Sequence, residues 1–433
     1  MPNLDQLRQI VKDEITQRAE EGCDVTGFDT KLQSAANQAE LTRLYADLQR
    51  LPIRPDFPYT EPSDLDEIKA RRPGRSSVWE VNIDEKLFDR IHGAWLGRIA
   101  GCMLGKPVEG WTRDSIRDCL ISLGEYPLAN YIPPAPDDAR LKPYKPFTRG
   151  NWDHAVWDDD TNYTVLALKT MELKGPEFTT ADVGYMWHEN LPINHVCTAE
   201  RQAYLNLANG VPIELAALEL NPYREWIGAQ IRADFWGYCA PGRPEIAAEF
   251  AHRDASLSHV KNGIYGEMFC AAAVSAALAT DDLIQIIGAG LNEIPSSSRL
   301  AETVSDCMRW RADCATWEHA HERMRETYYG KYNWVHTNNN LAIVLIALLF
   351  GWPDFEKVIT YSVMQGMDTD CNGATAGSII GAAIGAKGMP SKWRKPLGGR
   401  LDTPIPGVGT QEIDVLARRT INQVGKVLGT VEL

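Results

Sequence analysis

The sequence has no Cys-x-x-Cys pair, although it carries nine cysteines among 433 residues. A scattered, odd-numbered set argues against a disulfide framework, and the simplest reading is reduced, buried thiols in a cytoplasmic protein. Positive charge is in short supply. Lys and Arg number 44 against 58 Asp and Glu, a net charge of -14. That balance argues against nucleic acid or an anionic membrane as the main partner, because phosphate binding requires a basic footprint. Long hydrophobic runs are also missing. The longest, LAIVLIALLFGW (341–352), has 12 residues, too few to span a bilayer and enough for a core helix. The opening residues MPNLDQLRQIVKDE show no basic-then-apolar signal pattern. Stretches of strict strand alternation are scarce, and no internal repeat is present.

What remains reads as helix after helix. Leu4, Leu7, Ile10, Val11 and Ile15 fit one helical face, and Leu41, Leu44, Tyr45, Leu48 and Leu51 fit another. LPIRPDFPYTEPSD then breaks the pattern with four prolines. Residues 1–85 are read as an N-terminal helical extension with a linker-like segment, and 86–433 as the main domain. Small-residue helices recur at CAAAVSAALAT (270–280) and ATAGSIIGAAIGA (374–386), and would allow neighbouring helices to approach closely. The Pro-, Tyr- and Trp-rich stretch 126–153 is long enough to suggest an ordered wall beside a site.

Two acidic stretches carry the chemistry. VWDDDTNYT places Asp158, Asp159 and Asp160 ahead of a helical pattern, and MQGMDTDCNGATAG places Asp368 and Asp370 ahead of a small, apolar helix. Each alone reads as an acidic helix cap, favoured by the positive end of the helix dipole. Together they form a different pattern. Carboxylates leading into a buried helix need partners, and neither stretch contains Lys or Arg. A divalent cation is the simplest remaining partner. An all-oxygen donor set suits Mg²⁺ or Mn²⁺ better than Zn²⁺, and the oxygens suffice for two metals.

Three landmarks in order resemble the ADP-ribosylglycohydrolases, including the dinitrogen-reductase-activating glycohydrolases. They are IHGAWLGRIAGCMLGKPVEGW (91–111), WDDDTNYTVLAL (157–168) and GMDTDCNGATAGSIIGAAIG (366–385). The resemblance spans roughly 88–428. It implies an all-α orthogonal multi-helix bundle and a Mg²⁺-dependent hydrolase with two Mg²⁺ (Mn²⁺ as the alternative). The bond cleaved would be the ribosyl anomeric bond of an ADP-ribosylated protein or small ADP-ribosyl compound. It implies Asp158, Asp159, Asp160, Asp368 and Asp370 as metal ligands. Glu109 matches the glutamate placed near metal and scissile bond, so that Glu109, Asp159 and Asp370 form the catalytic set.

Beside the motifs, NPYREWIGAQIRADFWGY (221–238) sits where the family carries a Gly-Asn-Gly-Ala-Met-Arg-like loop, and the resemblance implies that Gly228, Gln230 and Arg232 approach a substrate, Arg232 as a diphosphate or structural partner. HRDASLSHVKNGIYGEMF (252–269) resembles the family's following segment with a ligand-facing histidine, which implies His259 with Asn262 and Tyr265 close by. Asn338 to Asn340 are read as a structural helix cap. The chain departs from the family pattern at three places: Gly-Cys-Met-Leu-Gly (101–105) for Gly-Asp-Ala-Leu-Gly, Asp158 for Thr, and Cys371 for Thr. Cys371 is a soft donor poorly matched to Mg²⁺. These departures keep two other readings open: a dimetal hydrolase of another N- or O-ribosyl or nucleoside-like compound, and a non-catalytic, crystallin-like or ligand-binding relative.

Overall fold

The computed structural model describes residues 2–135 and 137–429. Helix Leu4–Glu20 begins with a capping box, in which Asn3 and Gln6 each accept from the other's backbone N–H. It pairs with helix Gln38–Gln49. Leu7, Val11 and Ile15 meet Leu41, Leu44 and Leu48 in a small hydrophobic core of their own. This is the helical start expected from the leucine spacing.

The extension meets the rest of the chain through buried charge as well as apolar contact, Ile68 lying in the main core with Leu65, Trp79 and Val81 packed against it. Arg224 Nη1 lies 2.8 Å from Glu14 Oε2, and its Nη2 lies 3.0 Å from Glu21 Oε2. Arg299 joins Glu225 (2.6 Å) to Glu61 (2.7 Å). Gln17 donates to Glu225 at 3.0 Å. Such a network holds only when every charge is matched. The proline-rich stretch beyond it is pinned along its length. Tyr59 bonds Glu302, Lys69 pairs with Glu249, and Arg72 pairs with Glu293. Trp79 N donates to Gly242 O at 3.0 Å.

From Glu85 onward the architecture is all-α, as the sequence predicts. Among the described residues the only strands are Arg400–Leu401 and Gln411–Glu412, paired antiparallel. Helices Asn262–Ala277 and Thr337–Gly351 are buried nearly all round, which explains their apolar and small composition. Among the described residues, no helix is long and apolar enough to cross a membrane.

One helix pair organises the site. Gly93, Gly97, Gly101 and Gly105 share one face of helix Glu85–Gly105, since positions four apart stack on a helix. They lie against Gly373, Gly377 and Gly381 of helix Thr369–Gly388. A Cβ added at Gly97, Gly101 or Gly105 would overlap a backbone carbonyl of the partner helix. The two helices therefore pack backbone to backbone, which only glycine permits. Thr369 Oγ1 closes the end of this seam by donating to Gly105 O at 2.8 Å. Gly110 N donates to Met367 O (2.8 Å), and Met367 N donates to Trp111 O (3.0 Å). The first and third motifs are thus locked side by side.

Candidate metal centre

Asp158 is the N-cap of helix Asp159–Lys174. Its carboxylate accepts from Asp160 N, and its N–H donates to Thr161 Oγ1. This is the turn into a helix where adjacent carboxylates can converge. Asp368 holds the same place before helix Thr369–Gly388, with Asp370 in that helix's first turn. Two positive helix ends therefore face the same acids.

The donor atoms of three overlapping groups lie within 4.8 Å of one another: Cys102, Asp158 and Asp160; Asp160, Asp370 and Cys371; and Glu109, Asp368 and Asp370. The five aspartates and the glutamate predicted from the sequence thus meet at one place or border it. Asp158, Asp160, Asp368 and Asp370 are buried, while Asp159 and Glu109 are half-buried.

Several carboxylate oxygens have no hydrogen-bond partner although buried: Asp160 Oδ2, Asp368 Oδ1 and Asp370 Oδ1. Burial pushes the carboxyls of Asp159, Asp160 and Asp368 well above the usual range. Asp158 adds to this at Asp159, and Asp370 adds to it at Asp368. The charge of Asp370, with burial, pushes Glu109 up to about 7. Crowded carboxylates that resist ionisation and retain free oxygens fit a hard divalent cation. Cys102 and Cys371 sit at the edge of these groups, their thiols pushed up by burial and by the surrounding acids. A thiol held protonated is a poor ligand for Mg²⁺.

The sequence reading missed two cations. Arg98, fully buried on helix Glu85–Gly105, donates to Asp160 Oδ1 at 3.1 Å and to Asp234 Oδ2 at 2.6 Å. It fixes one oxygen of Asp160 and leaves the other free. Lys106 enters the acid groups directly. Its Nζ lies 2.9 Å from Glu109 Oε2, 2.9 Å from Asp158 Oδ2 and 2.7 Å from Asp370 Oδ2. Burial works against the Lys106 charge, but Asp158, Asp370 and Glu109 hold the ammonium well above the usual lysine range. At Asp158 burial is likewise outweighed by Lys106, which keeps that carboxyl below its usual range. The acidic stretches contain no cation, yet the fold supplies two from the first motif. The only local signal was the three-residue spacing from Lys106 to Glu109.

A third missed group is Asn340. The helix cap is His336, whose Nδ1 accepts from Asn338 N at 3.1 Å. Asn340 is free to accept from Asn372 Nδ2 (2.8 Å) and from Asp368 N (3.4 Å), which steadies the second acidic turn.

The six other residues singled out from the sequence are all buried. Gly228 packs on the Glu200 carboxylate. Arg232 pairs with Glu200 (2.8 Å) and Asp254 (3.1 Å). Asn262 bridges Glu225 (2.8 Å) and Leu300 N (2.9 Å), and Tyr265 donates to Pro62 O. These contacts support the fold. Gln230 accepts from Thr337 Oγ1 at 2.9 Å, and His259 Nδ1 lies 2.8 Å from Ser258 Oγ. Gln230 Nε2 and His259 Nε2 have no partner. Ile231 O accepts from Arg98, so the 230–232 turn adjoins Asp160.

At the exposed side of the acids stand two tryptophans. Trp157 stacks on His195 with ring centroids 4.5 Å apart. Trp334 lies against Gly110, next to Glu109. Both are more than a third exposed.

Comparison with known proteins accords with this geometry. The sequence profile of the ADP-ribosylglycohydrolase family matches residues 83–427. The chain belongs to the ADP-ribosylglycohydrolase family. A solved structure described as an ADP-ribosylglycohydrolase-related protein complex resembles it with a TM-score of 0.50 at 18% identity, covering 79% of this chain and 100% of that one. At that identity the likeness speaks to the fold. No curated protein matches the sequence significantly.

Proposed function

We propose that this protein is a Mg²⁺-dependent hydrolase that cleaves the ribosyl anomeric bond of an ADP-ribosylated protein or a small ADP-ribosyl compound. The observation that carries this reading is the convergence of Glu109, Asp158, Asp160, Asp368 and Asp370, with buried oxygens left free. Asp159 stands beside them in the first turn of its helix. In a chain of a glycohydrolase family, that donor set suits a hard cation. When bound, such a cation orients vicinal sugar hydroxyls and acidifies a water.

The chain's own residues would do the rest. Glu109, half-buried and with its carboxyl raised, would accept a proton from water or assist the leaving group. The dense negative charge around it favours an oxocarbenium-like transition state. Trp157 and Trp334 offer exposed aromatic faces for a base or sugar. Nine free cysteines support the cytoplasm as its compartment.

One observation favours the second reading. Asp158, the departure from Thr, is tied to Lys106 at 2.9 Å and so changes the surface a sugar would meet. Incubation with Mg²⁺ and a panel of arginine-linked, serine-linked and small-molecule ADP-ribosyl substrates separates the two. Release of ADP-ribose is expected. Release from none of them, with cleavage of a simpler N- or O-ribosyl compound, would establish the second reading instead.

A further inference from the structure

The acid groups already hold one cation of the protein's own. An ammonium has three N–H donors, and Lys106 meets three carboxylates, Glu109, Asp158 and Asp370, at 2.9, 2.9 and 2.7 Å. The contact to Asp370 is a charge-assisted hydrogen bond, the stronger kind, and those to Glu109 and Asp158 are close ion pairs. Lys106 is also the C-cap of helix Glu85–Gly105, whose negative end favours a cation. The glycine seam fixes that helix end against Asp370, so the ammonium is delivered by rigid backbone as well as by a flexible side chain.

Lys106 takes Glu109 Oε2, Asp158 Oδ2 and Asp370 Oδ2. The buried oxygens left without partners are on the other side of this division: Asp160 Oδ2, Asp368 Oδ1 and Asp370 Oδ1. Asp370 alone belongs to both sets. It offers one oxygen to the ammonium and keeps one free. The family resemblance implies two metal positions built from these same acids. A second divalent cation would have to share three carboxylates with an ammonium, against like-charge repulsion, or expel it from three ion pairs.

We infer that the ammonium of Lys106 occupies one of the two cation positions, so that the chain binds a single divalent cation on the oxygens Lys106 leaves free, with Asp370 shared between the two charges. This inference rests on the metal-dependent reading above. It makes one of the site's two cations a covalent part of the chain, so chelation removes only the other. It also leaves one ion, rather than two, for the sugar hydroxyls to engage.

Mn²⁺ binding to the full chain decides it, read by metal content after equilibrium dialysis and by electron paramagnetic resonance. The wild type is expected to hold one Mn²⁺ with the signal of an isolated ion. Lys106→Met is expected to hold two, with the magnetically coupled signal of a close pair. Lys106→Arg, which keeps the charge, is expected to hold one, and near-UV circular dichroism checks that each variant is folded. Two coupled Mn²⁺ in the wild type would overturn the inference and leave the metal-dependent function standing. One Mn²⁺ in both the wild type and a folded Lys106→Met would overturn it too, because the lysine would not be what excludes the second ion. No Mn²⁺ in the wild type would sink the metal-dependent function itself. If Lys106→Met does not fold, Lys106→Gln takes its place, and the wild-type count already separates one ion from two.

Discussion

Gly101 and Gly373 meet with no side chain between them: a Cβ on Gly373 would lie 2.6 Å from the carbonyl oxygen of Gly101. Real Cβ atoms do not approach a carbonyl so closely, so this contact sets how near Lys106 and Glu109 stand to Asp368 and Asp370. Gly101→Ala is expected to force the helices apart. The cost should be about 1–3 kcal/mol, read by calorimetry, with weaker Mn²⁺ binding in the same sample. Unchanged melting and unchanged affinity would show that the seam does not govern the centre.

Asp370 lies at the meeting point of both cation sets, and Asp159 stands at their open side. Asp370→Asn and Asp159→Ala are each expected to abolish the thermal stabilisation that metal gives. For the wild type that stabilisation should reach about 2.7 kcal/mol at 100-fold excess over the dissociation constant. Differential scanning fluorimetry with and without Mg²⁺ measures it. Full retention of the shift in both variants would remove these carboxylates from the ligand set.

Arg224 is buried between Glu14 and Glu21, two acids of the N-terminal helices. Arg224→Met keeps volume and leaves both acids without their main cation. Breaking a buried ionic network from one side costs about 3–5 kcal/mol. We expect that loss in denaturant titration, with limited proteolysis cutting first within residues 1–60. A change below ~1 kcal/mol would mean that water already reaches this network.

Glu20 gives stability a pH dependence of unusual sign for a carboxyl group. Burial raises it to about 8, against a backbone bond from Asn333 that lowers it. The unfolded chain releases this proton near the ordinary value of 4.5. Between those values the folded state binds more protons than the unfolded one, so this contribution to stability falls as pH rises from about 4.5 to about 8. Glu20→Gln removes the titration. Its stability relative to the wild type should rise across that window by at least ~1 kcal/mol, measured by urea unfolding at a series of pH values. A pH-independent difference would contradict the raised value.

The helices were legible because their apolar residues recur at helical spacing, and the acidic turns because adjacent carboxylates before a buried helix need an explanation. The cations were not. Lys106 lies 264 residues from Asp370, and only the packing of two glycine faces brings them together. Arg98 reads locally as one charged residue on an apolar helix, and its partner Asp234 lies 136 residues away. Asn340 was read as part of a cap because asparagine commonly caps helices. His336, one position before the TNNN run, had that role, and nothing local distinguishes the two. Arg232 shows the same blindness in reverse. A buried arginine facing acids and one facing a diphosphate have identical sequence signatures.

The buried bonds of Arg224 and Arg299 have a practical consequence for the family boundary. The match to the family begins at residue 83, and a cut there would look natural on an expression plasmid. It would discard Glu14 and Glu21, the two acids that neutralise Arg224, and Glu61, one of the two that hold Arg299. The shortened product would carry the stranded guanidinium of Arg224 in what had been its interior, and Arg299 would keep only Glu225. It should come out of cells as aggregate, however complete its acidic motifs.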